Sequence, residues 1–343
     1  MFRGPRFWIS IGVSLIFLAL FFYRTDLTEI GSTLKTANYL FVVPALAVYS
    51  VALWFRTIRW RYLLRPLGNL PVRRLFPLVV IGYMANDILP ARIGELVRAY
   101  ILGEKERLSK MAILATIAVE RIFDGVALIL FLLVLLPFFP LAEWLRGLAK
   151  VMAVIFLGGL VVLWVAAHFT DITQRLVGLS LRFLPPPLQT RATTLVGLFL
   201  EGLSALRSPG VLGAVLITSI LTWAAEAAMY WVIFWSFDLG QPYPIFLLTA
   251  SVANLAITLP SSPGGIGPFD FFVKKAVMLV GVADGMATAY TILLRAVLHL
   301  PVILLGLVFL WLQQISLAEV ARQTEGPGLA PNAGRESGPG GIG

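Results

Sequence analysis

Cysteine is absent from the 343 residues, and histidine occurs only at His168 and His299. Disulfide frameworks, thiolate nucleophiles and Cys- or His-rich metal centres are thereby excluded, and the redox compartment leaves no mark. Charge is scarce too. Asp, Glu, Lys and Arg make up 13% of the chain, against the roughly 25% of a typical soluble domain. This balance, with 59% hydrophobic residues, excludes an ordinary globular enzyme. What the chain has instead is a series of apolar runs of about 20 residues, the length a helix needs to cross a roughly 30 Å hydrocarbon layer.

The net charge of +9 comes from basic residues gathered in short loops between apolar runs. That is the mark of cytoplasmic loops rather than of nucleic-acid binding, so no nucleic-acid partner is expected. Arg3 and Arg6 precede the run Phe7 to Tyr23, which reads as a retained first span because no small-residue cleavage site follows. Full spans are expected at about 7–23, 40–58, 111–136, 150–167, 211–237 and 287–312. Two further apolar regions, 75–102 and 245–282, are interrupted midway by Pro and Gly, leaving pieces too short to cross alone. Each reads as a re-entrant helical hairpin.

The fold expected is therefore all-α: a polytopic membrane bundle of about six full spans and two re-entrant hairpins in inverted arrangement. The stretch Arg59 to Arg74 carries five arginines and no acid, placing it in the cytoplasm, and the loop before it suits the outer side. Both termini then lie inside, in the cytoplasmic membrane. The first hairpin enters from the cytoplasm and the second from outside, although Lys274 and Lys275 near the second one's exit speak against that side. Residues 1–317 form the membrane domain, with 171–207, around Pro185-Pro186-Pro187, lying on the cytoplasmic surface as amphipathic helices. Residues 318–343 read as a Gly- and Pro-rich disordered tail.

The two interruptions resemble each other. Ala85-Asn86 leads through Leu89-Pro90 to Ile93-Gly94-Glu95, and Ala253-Asn254 through Leu259-Pro260 to Ile266-Gly267 and Asp270. Broken helices at corresponding positions of two halves point to a transporter's binding site, with chance similarity of short motifs as the alternative. Glu120, Arg121 and Asp124 sit about ten residues into a span, roughly 15 Å deep at 1.5 Å per residue. Ionisable groups there face the protein interior or a wet cavity, serving either a ligand or a structural ion-pair network. Arg92, Glu95 and Arg98 follow the first break. The two guanidiniums suit phosphate, although Arg98 also fits an interfacial cation that snorkels. In the second break Ser262, Gly264, Gly265 and Gly267 precede a helix start whose free amides suit an anion, with Asp270 as a possible competitor. Glu226 and Arg295 are lone ionisable groups inside spans and should point inward, whereas His299 reads as a packed residue. Trp54, Trp60, Trp144, Trp235 and Trp311 read as interface anchors.

At these motifs the sequence resembles the membrane region of lysylphosphatidylglycerol synthases, a flippase-like family related to the membrane part of the multiple peptide resistance factor. The resemblance is carried by Asn86 to Arg98, Glu120-Arg121-Ile122-Phe123-Asp124, Leu259 to Gly267 and the span around Arg295, within about 10–315. The chain departs from the pattern at Asp270, where Glu is expected, and at Ala91, where Gly is more usual. The resemblance implies a protein that moves an anionic phospholipid or polyprenyl-phosphate-linked lipid without a cofactor. The headgroup cavity would be lined by Asn86, Arg92, Glu95, Arg98, Glu120, Arg121, Asp124, Asn254, Ser262, Gly264, Gly265, Gly267, Asp270 and Arg295. Membrane lipids are the expected partners. The chain stops soon after its last span, so lysine transfer by this polypeptide alone is not expected. Two alternatives stand: a membrane transferase using a lipid-phosphate donor, and a non-catalytic membrane subunit of a separately encoded glycosyltransferase or synthase.

Overall fold

The computed structural model describes residues 5–23, 25–89, 93–135, 137–139, 143–183, 185–257 and 263–314. Arg92, Ser262 and the expected tail at 318–343 lie outside them. Among the described residues the chain is helical without strands. Its helices are α1 (Pro5–Phe22), α2 (Leu27–Thr36), α3 (Val42–Leu64), α4 (Val72–Ile88), α5 (Gly94–Glu106), α6 (Lys110–Leu135), α7 (Glu143–His168), α8 (Thr170–Leu181), α9 (Pro186–Gly202), α10 (Pro209–Phe234), α11 (Pro244–Ala256), α12 (Pro268–Met278) and α13 (Asp284–Leu312).

Local chemistry sets the boundaries. Prolines open α9, α10, α11 and α12, where the missing N–H has no intrahelical partner to lose. Leu89, which precedes Pro90, is extended (φ −90°, ψ 143°) and stops α4, because a proline disfavours helical geometry in the residue before it. The segment expected as a plain outer loop instead holds α2, whose cap is Asp26 accepting from the Thr28 amide at 2.8 Å.

Helices α1, α3, α6, α7, α10 and α13 occupy the six expected spans. Four described stretches, Tyr39–Leu64, Ala149–His168, Pro209–Phe237 and Asp284–Leu312, are long and apolar enough to cross a bilayer. The two interrupted regions are α4 with α5 and α11 with α12, and each pair packs against itself across its break. In the first, Gly94 lies so close to the Gly82 carbonyl and the Asn86 side chain that a Cβ would overlap both.

The contacts reveal two related halves. α3 packs on α10, α4 on α13 and α11 on α6, while α5 meets α6 as α12 meets α13. Exchanging α3–α6 with α10–α13 reproduces these pairings. Arg56 meets Glu226 and Arg59 meets Ser219, so α3 and α10 run antiparallel. An exchange that maps antiparallel neighbours onto each other makes the halves inverted. Asparagines 86 and 254 each stand two residues before the end of their helix, in corresponding places.

Two charge readings change. Arg59 is not a loop cation: α3 continues to Leu64, and Arg59 is fully buried. Lys274 is buried as well, donating to the Phe21 carbonyl, Thr25 Oγ1 and Asp284 Oδ2, each at 2.8 Å. It ties α12 to the end of α1 and the start of α13, so it says nothing about sidedness. Trp60, read as an interface anchor, is buried and donates to Thr116 Oγ1 at 3.1 Å, whereas Trp54, Trp235 and Trp311 are exposed.

Gly94→Ala should destabilise the protein by about 1–3 kcal/mol through overpacking between α4 and α5. Gly158→Ala, which meets open space, is the control. Thermal unfolding in detergent should show a lower midpoint for the first variant only.

Candidate functional site

A cavity of about 330 Å³ lies where the two breaks meet. A Cβ at Gly264, in the second break, would stand 3.9 Å from the Asp87 carbonyl at the first and 3.8 Å from Arg295 Nη1. Gly264 (φ +66°) and Gly267 (φ +95°) hold left-handed backbone that favours glycine, which lets the chain turn sharply before α12.

One wall is an ion-pair cluster built around α6. Glu120, fully buried, is 2.7 Å from Arg98 Nη2, 2.5 Å from Arg121 Nη2 and 3.4 Å from Arg59 Nη2. Asp124 accepts from Arg59 Nη1 at 2.6 Å and Trp223 Nε1 at 2.8 Å, and lies 3.3 Å from Arg121 Nη1. Three guanidiniums thus surround two carboxylates. An ionised group at this depth would be costly alone, and the cluster supplies every charge with an opposite partner. Arg121 is the most open of the three, with its side chain 38% exposed, and it lines the cavity.

A second pair, Arg56 with Glu226, lies beside this cluster. The Arg56 guanidinium is 4.7 Å from the Tyr83 ring and 4.9 Å from the Trp223 ring, both within cation–π range. Arg56 Nε and Arg121 Nε are buried without an acceptor. The Nε groups of Arg59, Arg61 and Arg98 are in the same state, so this is a feature of the buried arginines as a group and not of the cavity wall alone.

The structure sorts the residues expected from the sequence. Asn86, Glu95, Arg121, Asp124, Asn254 and Gly264 line the cavity. Asn86 also staples the first break, accepting from the Gly94 amide at 2.8 Å and donating to Glu95 Oε1 at 3.2 Å. Glu120 and Arg98 stand behind the wall; Arg98 is 3% exposed, 4.1 Å from the Trp60 ring, and is not a snorkelling interfacial cation. Arg295 does not join the Glu120 cluster. It holds Asp270 at 2.5 and 2.8 Å and donates to the Gly264 carbonyl at 3.1 Å. The helix start itself is occupied from within, since the Gly267 amide donates to Asp270 Oδ2 at 2.9 Å. Gly267 faces Ser14 and Phe17 of α1, and Gly265 is buried beneath Arg295, so neither lines the cavity.

The two halves mirror each other here with reversed sign. Arg98 of α5 pairs with Glu120 of α6, and Asp270 of α12 pairs with Arg295 of α13. Each pair fixes the helix after a break to the long helix that follows it.

Sequence reasoning missed Arg56, Tyr83, Trp223, Tyr230 and Asp87 at the cavity. Arg56 and Arg59, one turn apart near the end of an apolar run, were the available signal, but they look like the start of a basic loop. Arg59→Met should cost about 3–5 kcal/mol, the penalty for stranding buried charge. Adding Asp124→Asn should restore part of that loss, as read by thermal unfolding of the purified protein.

The sequence matches the family described as the lysylphosphatidylglycerol synthase TM region over residues 7–306. A UPF0104 membrane protein of Methanothermobacter thermautotrophicus is 26% identical over 306 residues, covering 84% of this chain and 90% of that protein. Glycosyltransferase AglD of Haloferax volcanii is 25% identical over 347 residues, covering 91% of this chain but only 55% of AglD. With its helices, broken segments and family match in agreement, the chain belongs to the lysylphosphatidylglycerol synthase transmembrane-region family of multi-pass membrane proteins.

Proposed function

We propose that the chain binds the phosphate-bearing headgroup of an anionic phospholipid or polyprenyl-phosphate-linked lipid in the cavity and carries it between leaflets. The observation that carries this reading is the placing of two guanidiniums, Arg56 and Arg121, among the residues that line a cavity between two broken helices. Arg offers planar, bidentate donors matched to phosphate oxygens. Irregular backbone at membrane depth is tolerated where it is buried or lines an aqueous cavity, and the described ends of both breaks lie against one cavity. The lipid tails stay in the bilayer, so only the headgroup needs a polar path.

In this reading α4–α5 and α11–α12 are re-entrant from opposite faces of the cytoplasmic membrane, both termini are cytoplasmic, and α8 and α9 lie on the cytoplasmic surface. Residues 1–317 act as one flippase-like domain. The match to part of AglD supports a second reading, a membrane subunit serving a glycosyltransferase, in which the same cavity presents a lipid-linked substrate to a partner.

Reconstitution into liposomes with a fluorescent anionic phospholipid tests the proposal. Arg121→Gln should slow movement of the lipid between leaflets at least about tenfold, equivalent to raising the barrier by about 1.4 kcal/mol. Arg74→Ala, on an exposed side chain, should have no effect. Equal rates in wild type and Arg121→Gln would contradict it.

A further inference from the structure

We infer that His299 is a proton-binding site, and that a proton and an anionic headgroup occupy the cavity together. The inference rests on the headgroup reading above and adds what accompanies the lipid.

His299 lines the cavity with its side chain 23% exposed, so water reaches it. Its Nδ1 is 2.9 Å from Asp87 Oδ1, and its Nε2 is 3.4 Å from Arg295 Nη1. These neighbours dictate the tautomer. An ionised carboxylate only accepts and a guanidinium only donates, so Nδ1 carries the hydrogen and Nε2 presents a lone pair. A neutral ring in this setting carries its hydrogen on Nδ1 and turns its free acceptor toward Arg295.

A proton taken from water at Nε2 changes this arrangement in a defined way. Both ring nitrogens become donors, and Nδ1–H faces Asp87 as part of an ion pair. Nε2–H confronts the Arg295 guanidinium, so that contact is lost. Arg295 keeps Asp270 and the Gly264 carbonyl. The net change is one positive charge on the cavity wall, beside the place where both breaks meet.

The other charged groups facing this space are held in ion pairs or hydrogen bonds. From α3 and α6 come Arg56, Arg121 and Asp124, and arginine does not exchange protons in the working range. Asp124 is held by the cluster on α6 and Glu226 of α10 by Arg56, while Glu95 of α5 accepts from Asn86. Asp270 of α12 is held by Arg295. Tyr49, Tyr83 and Tyr230 are phenols that ordinarily ionise only in alkali. Histidine is the side chain whose charge changes between about pH 5 and 8. The other one, His168, stacks on Trp164 at the end of α7 and does not line the cavity. Coupling is reciprocal: if the proton favours the anion, the anion favours the proton to the same degree.

Isothermal titration of the full chain in detergent with short-chain phosphatidylglycerol, whose phosphodiester does not titrate near neutrality, tests this. In wild type the affinity should rise as pH falls from 8 to 6, by no more than about tenfold per unit, the limit for one coupled proton. The binding heat should also depend on the buffer's ionisation enthalpy, reporting proton uptake. In His299→Gln binding should persist, with a flat pH profile and no buffer dependence. A wild-type profile that is flat and independent of buffer overturns the inference while leaving the headgroup reading intact. So does a His299→Gln variant with an unchanged slope. No binding in wild type at either pH overturns the headgroup reading and the inference with it. The wild-type buffer dependence stands without the variant, should His299→Gln fail to fold.

Discussion

A charge within hydrocarbon must find its opposite nearby, and the structure depends on how that requirement is met around Glu120. Arg59 comes from α3, Arg98 from α5 and Arg121 from α6 itself, so one buried carboxylate fastens three helices. Asp124 extends the cluster to α10 through Trp223. Because no member can leave without stranding another, the first break is held against the centre of the molecule. The Asp270–Arg295 pair does the same for the second break with the charges exchanged.

This arrangement explains how irregular backbone persists among apolar helices. The carbonyls of Gly264 and Gly265 find the Arg295 guanidinium, and the Gly94 and Gly267 amides find Asn86 and Asp270. These described groups at each break are thus satisfied by their own half. Arg56 and Arg121, the cations that line the shared cavity, are paired with Glu226 and with Glu120 and Asp124. The site differs from a simple helix-terminus anion hole: its cations come from α3 and α6, and the broken segments supply the space.

Much of the architecture was legible from periodicity and punctuation. Apolar runs marked α1, α3, α6, α7, α10 and α13, and the Pro and Gly clusters marked both breaks. The likeness of the Asn86 and Asn254 segments marked the two halves, which the reciprocal helix pairings display in space. Charge partners were not legible, because they join residues far apart in sequence. Arg56 meets Glu226 across 170 positions and Arg59 meets Asp124 across 65. A local reading therefore assigned Arg59 to a basic loop and Trp60 to the interface, when both are buried by partners on α6. Arg295 was equally opaque: its depth implied an inward orientation, but nothing local indicated that it would be occupied by Asp270 and two glycine carbonyls.

The central claim is that the two breaks enclose a polar, hydrated cavity inside a membrane-embedded bundle. The cysteine-free sequence makes this directly measurable, since one introduced thiol is the only reactive one. Asn254→Cys, on the cavity wall, and Leu304→Cys, on an outward face 64% exposed to the surroundings, should be compared in native membranes with a small water-soluble thiosulfonate. The account predicts rapid modification at 254 and little at 304. Equal inertness of both positions would show that no aqueous cavity exists where the breaks meet.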